Sequence, residues 1–176
     1  MEVWTIGHST RSIEQFIGLL KAFDIGLLAD VRHYPGSRKF PHFNMDVLEV
    51  ALKQNDLDYV HLPGLGGRRR PLKDSVNTAW RHAAFRGYAD HMATSEFKQS
   101  LEQLERLASK QRTAYMCSEA VWWSCHRSLI SDVLKSKQWK VWHIMDAGKA
   151  TEHPYTKPAR IVDGVLRYDE AGGSPG

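Results

Sequence analysis

Five short apolar runs, separated by stretches whose apolar residues recur every three or four positions, constrain this chain more than any other feature. The runs occupy residues 3–6, 27–29, 58–62, 113–116 and 141–145. Ile13, Phe16, Leu19, Leu20 and Phe23 mark a first amphipathic helix, and Met45, Leu48, Ala51 and Leu52 a second. Ser12 with Gln15 three residues on reads as a capping box, and Asn44 is expected to cap the second helix. Residues 78–111 read as a long helical stretch, broken near Met92 and recapped at Thr94 or Ser95, with Phe97, Leu101, Leu104 and Ala108 buried. Leu129, Ile130, Val133 and Leu134 mark the last helix.

Strands alternating with helices predict a single-domain, three-layer, Rossmann-like α/β fold. Its open, mostly parallel sheet is expected to hold about five strands, followed by a C-terminal β-hairpin turning at Asp163-Gly164. The domain is expected over residues 1–170, with residues 171–176 a flexible tail. Right-handed crossovers put every strand-to-helix loop on one edge of such a sheet, which is where open α/β sheets bind ligands. Those loops carry nearly all of the reactive side chains, whereas the opposite edge carries ordinary turn residues such as Asn55-Asp56. Helix N-termini at Ser12, Asn44 and near Ser124 add positive dipole ends there, so a phosphate-bearing ligand is expected.

The richest loop is Cys117-Ser118-Glu119-Ala120-Val121-Trp122-Trp123-Ser124-Cys125-His126-Arg127. A thiol in the first turn of a helix, beside a cation, is where a cysteine pKa falls, which makes Cys125 a candidate nucleophile. Cys117 and Glu119 alternate onto one face. Glu119 is the candidate acid/base, desolvated by Trp122 and Trp123, or else a partner of Arg32 or Arg127. Arg127 follows Cys117 by ten residues and Cys125 by two, so the Cys-x5-Arg loop of cysteine phosphatases is absent. His8 and Ser9 offer an acid/base and a phosphate ligand, or His8 simply caps loop carbonyls. Asp30 and Arg32 hold a ligand hydroxyl and phosphate, or each other. Gly66 and Gly67 before Arg68-Arg69-Arg70 offer amides and guanidinium groups to phosphate, without the Gly-Lys-Ser/Thr ending of a P-loop. Tyr34, Phe40, Phe43, Trp122 and Trp123, interleaved with Arg38 and Lys39, suit either base stacking or packing beneath a loop. No cofactor is expected; zinc or iron at Cys117, Cys125 and His126, with His8, is the alternative, disfavoured because no CxxC occurs.

Several strings together resemble a known family. They are Thr5-Ile6-Gly7-His8-Ser9, Asp30-Val31-Arg32 with Pro35 and Ser37, Leu62-Pro63 with Leu65-Gly66-Gly67, Met116-Cys117 with Glu119, Cys125-His126-Arg127, and His153-Pro154-Tyr155. The chain is similar, from Trp4 to about Tyr168, to the bacterial and archaeal family called domain of unknown function 488 (DUF488). The resemblance implies that the family's motif positions fall on His8, Ser9, Asp30, Arg32, Cys117, Glu119, Cys125, His126 and Arg127, and it implies no reaction.

No apolar run approaches the ~18 residues that cross a bilayer, so no membrane partner is expected. A net charge of +4 is too small to argue for nucleic acid by itself. Two cysteines and a start without a basic segment followed by an apolar one lead to an expectation of free thiols in a reducing cytoplasm. The expected function is an enzyme acting on a nucleotide or nucleic-acid component by hydrolysis or group transfer, since no dinucleotide fingerprint is present for hydride transfer. The alternatives are a nucleic-acid or nucleotide binding module without turnover, and a thiol- or metal-dependent enzyme built on Cys117 and Cys125.

Overall fold

A computed structural model describes residues 1–170, so the expected tail at 171–176 lies outside the described residues. β1 (Glu2–Gly7), β2 (Leu27–Asp30), β3 (Asp58–His61), β4 (Thr113–Cys117) and β5 (Lys140–Asp146) form a parallel sheet in the order β3-β2-β4-β1-β5. A sixth strand, β6 (Lys149–Glu152), pairs antiparallel with β5 at the sheet edge. The sequence gives no warning of it, because Lys-Ala-Thr-Glu has neither an apolar run nor a buried face. A separate hairpin, β7 (Arg160–Val162) with β8 (Val165–Arg167), turns at Asp163 and Gly164, both at positive φ as a two-residue hairpin requires.

Helices cover both faces, and the strands' two-residue period decides which side chain meets which helix. Trp4, Ile6, Leu28, Ala114 and Met116 pack on α1 (Ile13–Ala22) and α2 (Met45–Lys53) through Phe16, Leu20, Leu48 and Leu52. Val3, Ala29, Val31, Tyr115 and Val141 point the other way, toward α4 (Ser95–Lys110) and α5 (Arg127–Ser136) through Leu101, Leu104, Leu129 and Leu134. No helix of the described residues is long and apolar enough to cross a membrane.

The helix starts show which local signals win. Ser12 and Gln15 form the expected capping box, at 3.1 and 3.0 Å. Asn44 does occupy the N-cap of α2, yet its Oδ1 accepts the Ser37 amide at 2.6 Å instead of a helix N–H, so it fastens the loop rather than the helix. The helical stretch expected from residue 78 begins only at Ala83 and forms α3 (Ala83–His91). The residues before it are held irregular by Asp90, whose carboxylate accepts from Leu72 N, Ser75 Oγ and Asn77 Nδ2 at 2.6 to 2.8 Å. Thr94 then caps α4, accepting the Phe97 amide.

Gly87 lets α3 lie directly on the main chain of the arginine loop: a Cβ there would sit 2.2 Å from Arg69 O. Glycine-to-alanine in a helix interior ordinarily stabilises by up to about 1 kcal/mol. Gly87→Ala should instead lower the urea midpoint of the whole chain; a raised midpoint would contradict this packing.

Candidate functional site

The loops that follow the parallel strands meet in a cleft of about 970 Å³ at the carboxyl edge of the sheet. His8 and Ser9 enter it from the end of β1, Arg32 from β2, Gly67 and Arg68 from the loop after β3, and Cys117, Glu119, Cys125 and His126 from the loop after β4. Phe85 and Tyr88 of α3 form a wall. Several of the residues singled out from the sequence do not line it: Asp30, Gly66, Trp122 and Arg127, and with them Arg38, Phe43, Arg69 and Arg70.

Arg127 lies beneath the cleft at 1% exposure. Its Nε donates to Cys117 Sγ at 2.9 Å, Nη1 to Thr5 Oγ1 at 3.0 Å and Nη2 to the Glu119 carbonyl at 2.8 Å. Among the described residues no carboxylate stands within ion-pair distance of it. The two free thiols are 2.7 Å apart, and the Arg127 main-chain N–H donates to Cys125 Sγ at 3.3 Å. Burial works to raise the Cys125 pKa, but the hydrogen bond from Cys117 and the charge of Arg127 outweigh it and lower it. Burial and the neighbouring Cys125 push Cys117 up. The two shifts run in opposite directions, so of the pair it is Cys125 Sγ whose thiolate form is favoured. That sulfur sits at the N-terminus of α5, accepts a main-chain amide there and is the more accessible of the two, at 5% against 2%. His126 Nδ1 lies 3.6 Å from Cys125 Sγ, while Nε2 reaches the Val31 carbonyl at 2.8 Å. Gly67 makes room for that imidazole, since a Cβ would come within 2.9 Å of Nδ1.

The remaining candidates divide between cleft chemistry and framework. Arg32 is bound twice by Asp30, at 2.9 and 2.8 Å, and donates again to Phe43 O at 2.8 Å. Tyr59 completes the carboxylate's partners at 2.6 Å, so this pair is a buried internal ion pair rather than a free phosphate clamp. The Gly66 amide is spent on Pro63 O, leaving no amide nest at that position. Arg69 folds back onto Gly66 O and Glu96, whereas Arg68, at φ 61, and Lys39 are exposed on the cleft. Glu119 is exposed, which overturns its expected desolvation by the indoles. Trp122 turns away and stacks on His143, with ring centroids 4.5 Å apart and planes 6° from parallel. His8 stacks on Phe43 and bonds Ser9 O through Nδ1 at 2.9 Å. Burial, with a smaller contribution from the Arg32 charge, lowers its pKa to about 4. That imidazole is neutral at pH 7 and keeps an Nε2 lone pair for acid–base work.

Sequence reasoning passed over Thr5, Asp132 and His143, which are buried and stand behind Arg127. Thr5 and His153 fall within the motif strings, but nothing in the local sequence sets Asp132 or His143 apart. Among the described residues no group of three or more His, Cys, Asp or Glu side chains converges to hold a metal ion.

A family model described as domain of unknown function DUF488 matches residues 12–134. No curated protein and no solved structure matches the chain.

Burial lowers His143 to about 2 and His8 to about 4, below their unfolded value of 6.5. The unfolded chain therefore takes up these protons first on acidification. The stability they bring is complete above pH 6.5 and is lost as pH falls through that value toward the folded pKa values, by up to about 1.4 kcal/mol per pH unit for each group. Urea denaturation should therefore show falling stability from pH 6.5 down to about 5; a flat profile would contradict neutral burial of these imidazoles.

Proposed function

We propose that this chain, which belongs to the DUF488 family, is a cysteine-dependent enzyme that carries out group transfer or hydrolysis on a phosphate-bearing, flat substrate such as a nucleotide or nucleic-acid component. One observation carries this reading. A fully buried guanidinium without a carboxylate partner among the described residues donates to one of two adjoining thiols that open onto the cleft. A buried cation needs a counter-charge. Here the groups placed to supply it are sulfurs, and a thiolate is the nucleophilic form of cysteine.

In this reading Cys125 Sγ attacks an electrophilic centre of the substrate. A bond to sulfur forms as the bond to the leaving group breaks, and that group departs as an anion. His8, neutral and with Nε2 free, then takes the proton of the water or acceptor that displaces the sulfur and restores the thiolate. Lys39 and Arg68 at the mouth suit the phosphate. Tyr34, 68% exposed and stacked on His33, and Trp123, 54% exposed, suit the flat part of the ligand. Among the described residues Glu119 is the sole carboxylate on the cleft lining, and it is accessible to a substrate proton. The same exposed aromatics and cations support a second reading, a single-stranded nucleic-acid binding module indifferent to the thiols.

Iodoacetamide modification followed by peptide mapping separates the two. Cys125 should react ahead of Cys117, with a midpoint well below the ordinary thiol value of about 8.5, and adenosine monophosphate should slow the reaction more than adenosine does. A midpoint near 8.5, together with salt-sensitive oligonucleotide binding that survives Cys117→Ser with Cys125→Ser, would sink the enzymatic reading and favour the binding module.

A further inference from the structure

A line of buried polar groups runs away from the cleft, from Arg127 to the far side of α5, and cysteine chemistry as argued above makes no use of it. Thr5 Oγ1 is 2.7 Å from His143 Nδ1, His143 Nε2 is 2.9 Å from His153 Nδ1, and His153 Nε2 is 2.8 Å from Asp132 Oδ1. All four side chains are at 1% exposure or less. We propose that Thr5, His143, His153 and Asp132 are positioning residues that lock the guanidinium of Arg127 against Cys117 and Cys125. This inference rests on the cysteine-dependent reading and names what keeps that site in register.

The proposed line runs in one direction, from donor to acceptor. A guanidinium only donates and a carboxylate only accepts. Arg127 Nη1 donates to Thr5 Oγ1, so the single Thr5 proton is free for His143 Nδ1. With Nδ1 accepting, His143 carries its proton on Nε2 and donates to His153 Nδ1; His153 in turn donates from Nε2 to Asp132. In this arrangement both imidazoles share one tautomer, and every hydrogen bond points from the cation to the anion. Bonds aligned in one direction polarise one another, so the arrangement resists rotation of any one member.

Each end is fastened. Asp132 also accepts from Thr156 N at 3.0 Å, Thr156 Oγ1, and Tyr168 OH at 2.7 Å, which ties the carboxylate to the segment after β6 and to the residue following β8. Trp122 covers the middle, stacked on His143 and edge-on to His153, which gives that indole a place behind the site rather than in the cleft. His143, His153, Thr156 and Tyr168 all lie beyond the span matched by the family model, so the line couples the matched part of the chain to the part that follows it.

The test is a titration of the intact chain by the ultraviolet absorbance of the thiolate, which needs no substrate and no access for a reagent. The charged and titratable groups facing the sulfurs are Arg127 and His126 from the start of α5, Tyr115 from β4 and Tyr88 from α3. Thr5→Val removes the hydroxyl at nearly constant shape and leaves those groups in place. It should raise the thiolate midpoint by about one pH unit, and Thr5→Ser should restore the native value, which mere filling of space would not do. A native midpoint well below 8.5 that Thr5→Val leaves unmoved would overturn the positioning role alone; a native midpoint of about 8.5 would remove the cysteine reading and this inference with it. Should Thr5→Val not fold, nitrogen NMR of the native chain decides. Neutral His143 and His153, both protonated on Nε2, support the line, and a proton on His143 Nδ1 overturns it, because Thr5 would then have no acceptor there.

Discussion

Arginine cannot shed its proton inside a protein, and this chain places one at 1% exposure, under the meeting point of β1, β4 and α5. Moving such a charge out of water costs several kcal/mol even after relaxation, so the surroundings of Arg127 are not free to vary. The usual remedy, a facing carboxylate, is not present among the described residues. Instead the guanidinium meets a sulfur, a hydroxyl and a carbonyl oxygen, each within 3.0 Å. Burial would by itself lower the Arg127 pKa, and the charge available on Cys117 and Cys125 raises it instead. Under the cysteine-dependent proposal stability and reactivity become one problem, since the anion that would offset the buried cation is also the proposed nucleophile.

The sheet order makes that arrangement reachable. Because β4 inserts between β2 and β1, the end of β4 lies against Gly7, and the Gly7–Cys117 register puts the first thiol beside the β1 loop. A side chain at position 7 would drive a Cβ to 1.6 Å from Glu119 O, the carbonyl that accepts from Arg127. The next residues are tied across the same gap, His8 N to Cys117 O and Ser9 N to Ser118 O, with Ser9 held at φ 52. Cys117 is thus fixed by strand pairing and Cys125 by the first turn of α5. The short helical turn Trp122–Ser124 closes the distance between them.

Much of this was legible in the sequence, and what was not has physical reasons. Period-two strands and the capped helix at Ser12 are local patterns, so the α/β architecture and the edge on which the loops gather could be read directly. The Asp30–Arg32 pair was visible as a same-face neighbour relation, but whether it would bind a ligand or itself depended on Tyr59 and Phe43, which lie 29 and 11 residues away. Glu119 looked catalytic from its spacing to Cys117; β4 ends at Cys117, however, so alternation stops before reaching it and only its carbonyl turns inward. Thr5 and His143 are separated by 138 residues, and the motif around Thr5 says nothing of its partner, so only strand pairing between β1 and β5 discloses the contact. β6 escaped notice for a related reason: an exposed edge strand needs no apolar signature.

The central question is whether two thiols beside one buried guanidinium hold one proton between them. Raman or infrared spectroscopy of the S–H stretching region reads this directly at neutral pH, with Cys117→Ser and Cys125→Ser to assign the bands. A shared proton gives a single S–H band in the native chain, belonging to Cys117. Two bands of equal intensity, one from each cysteine, would contradict it.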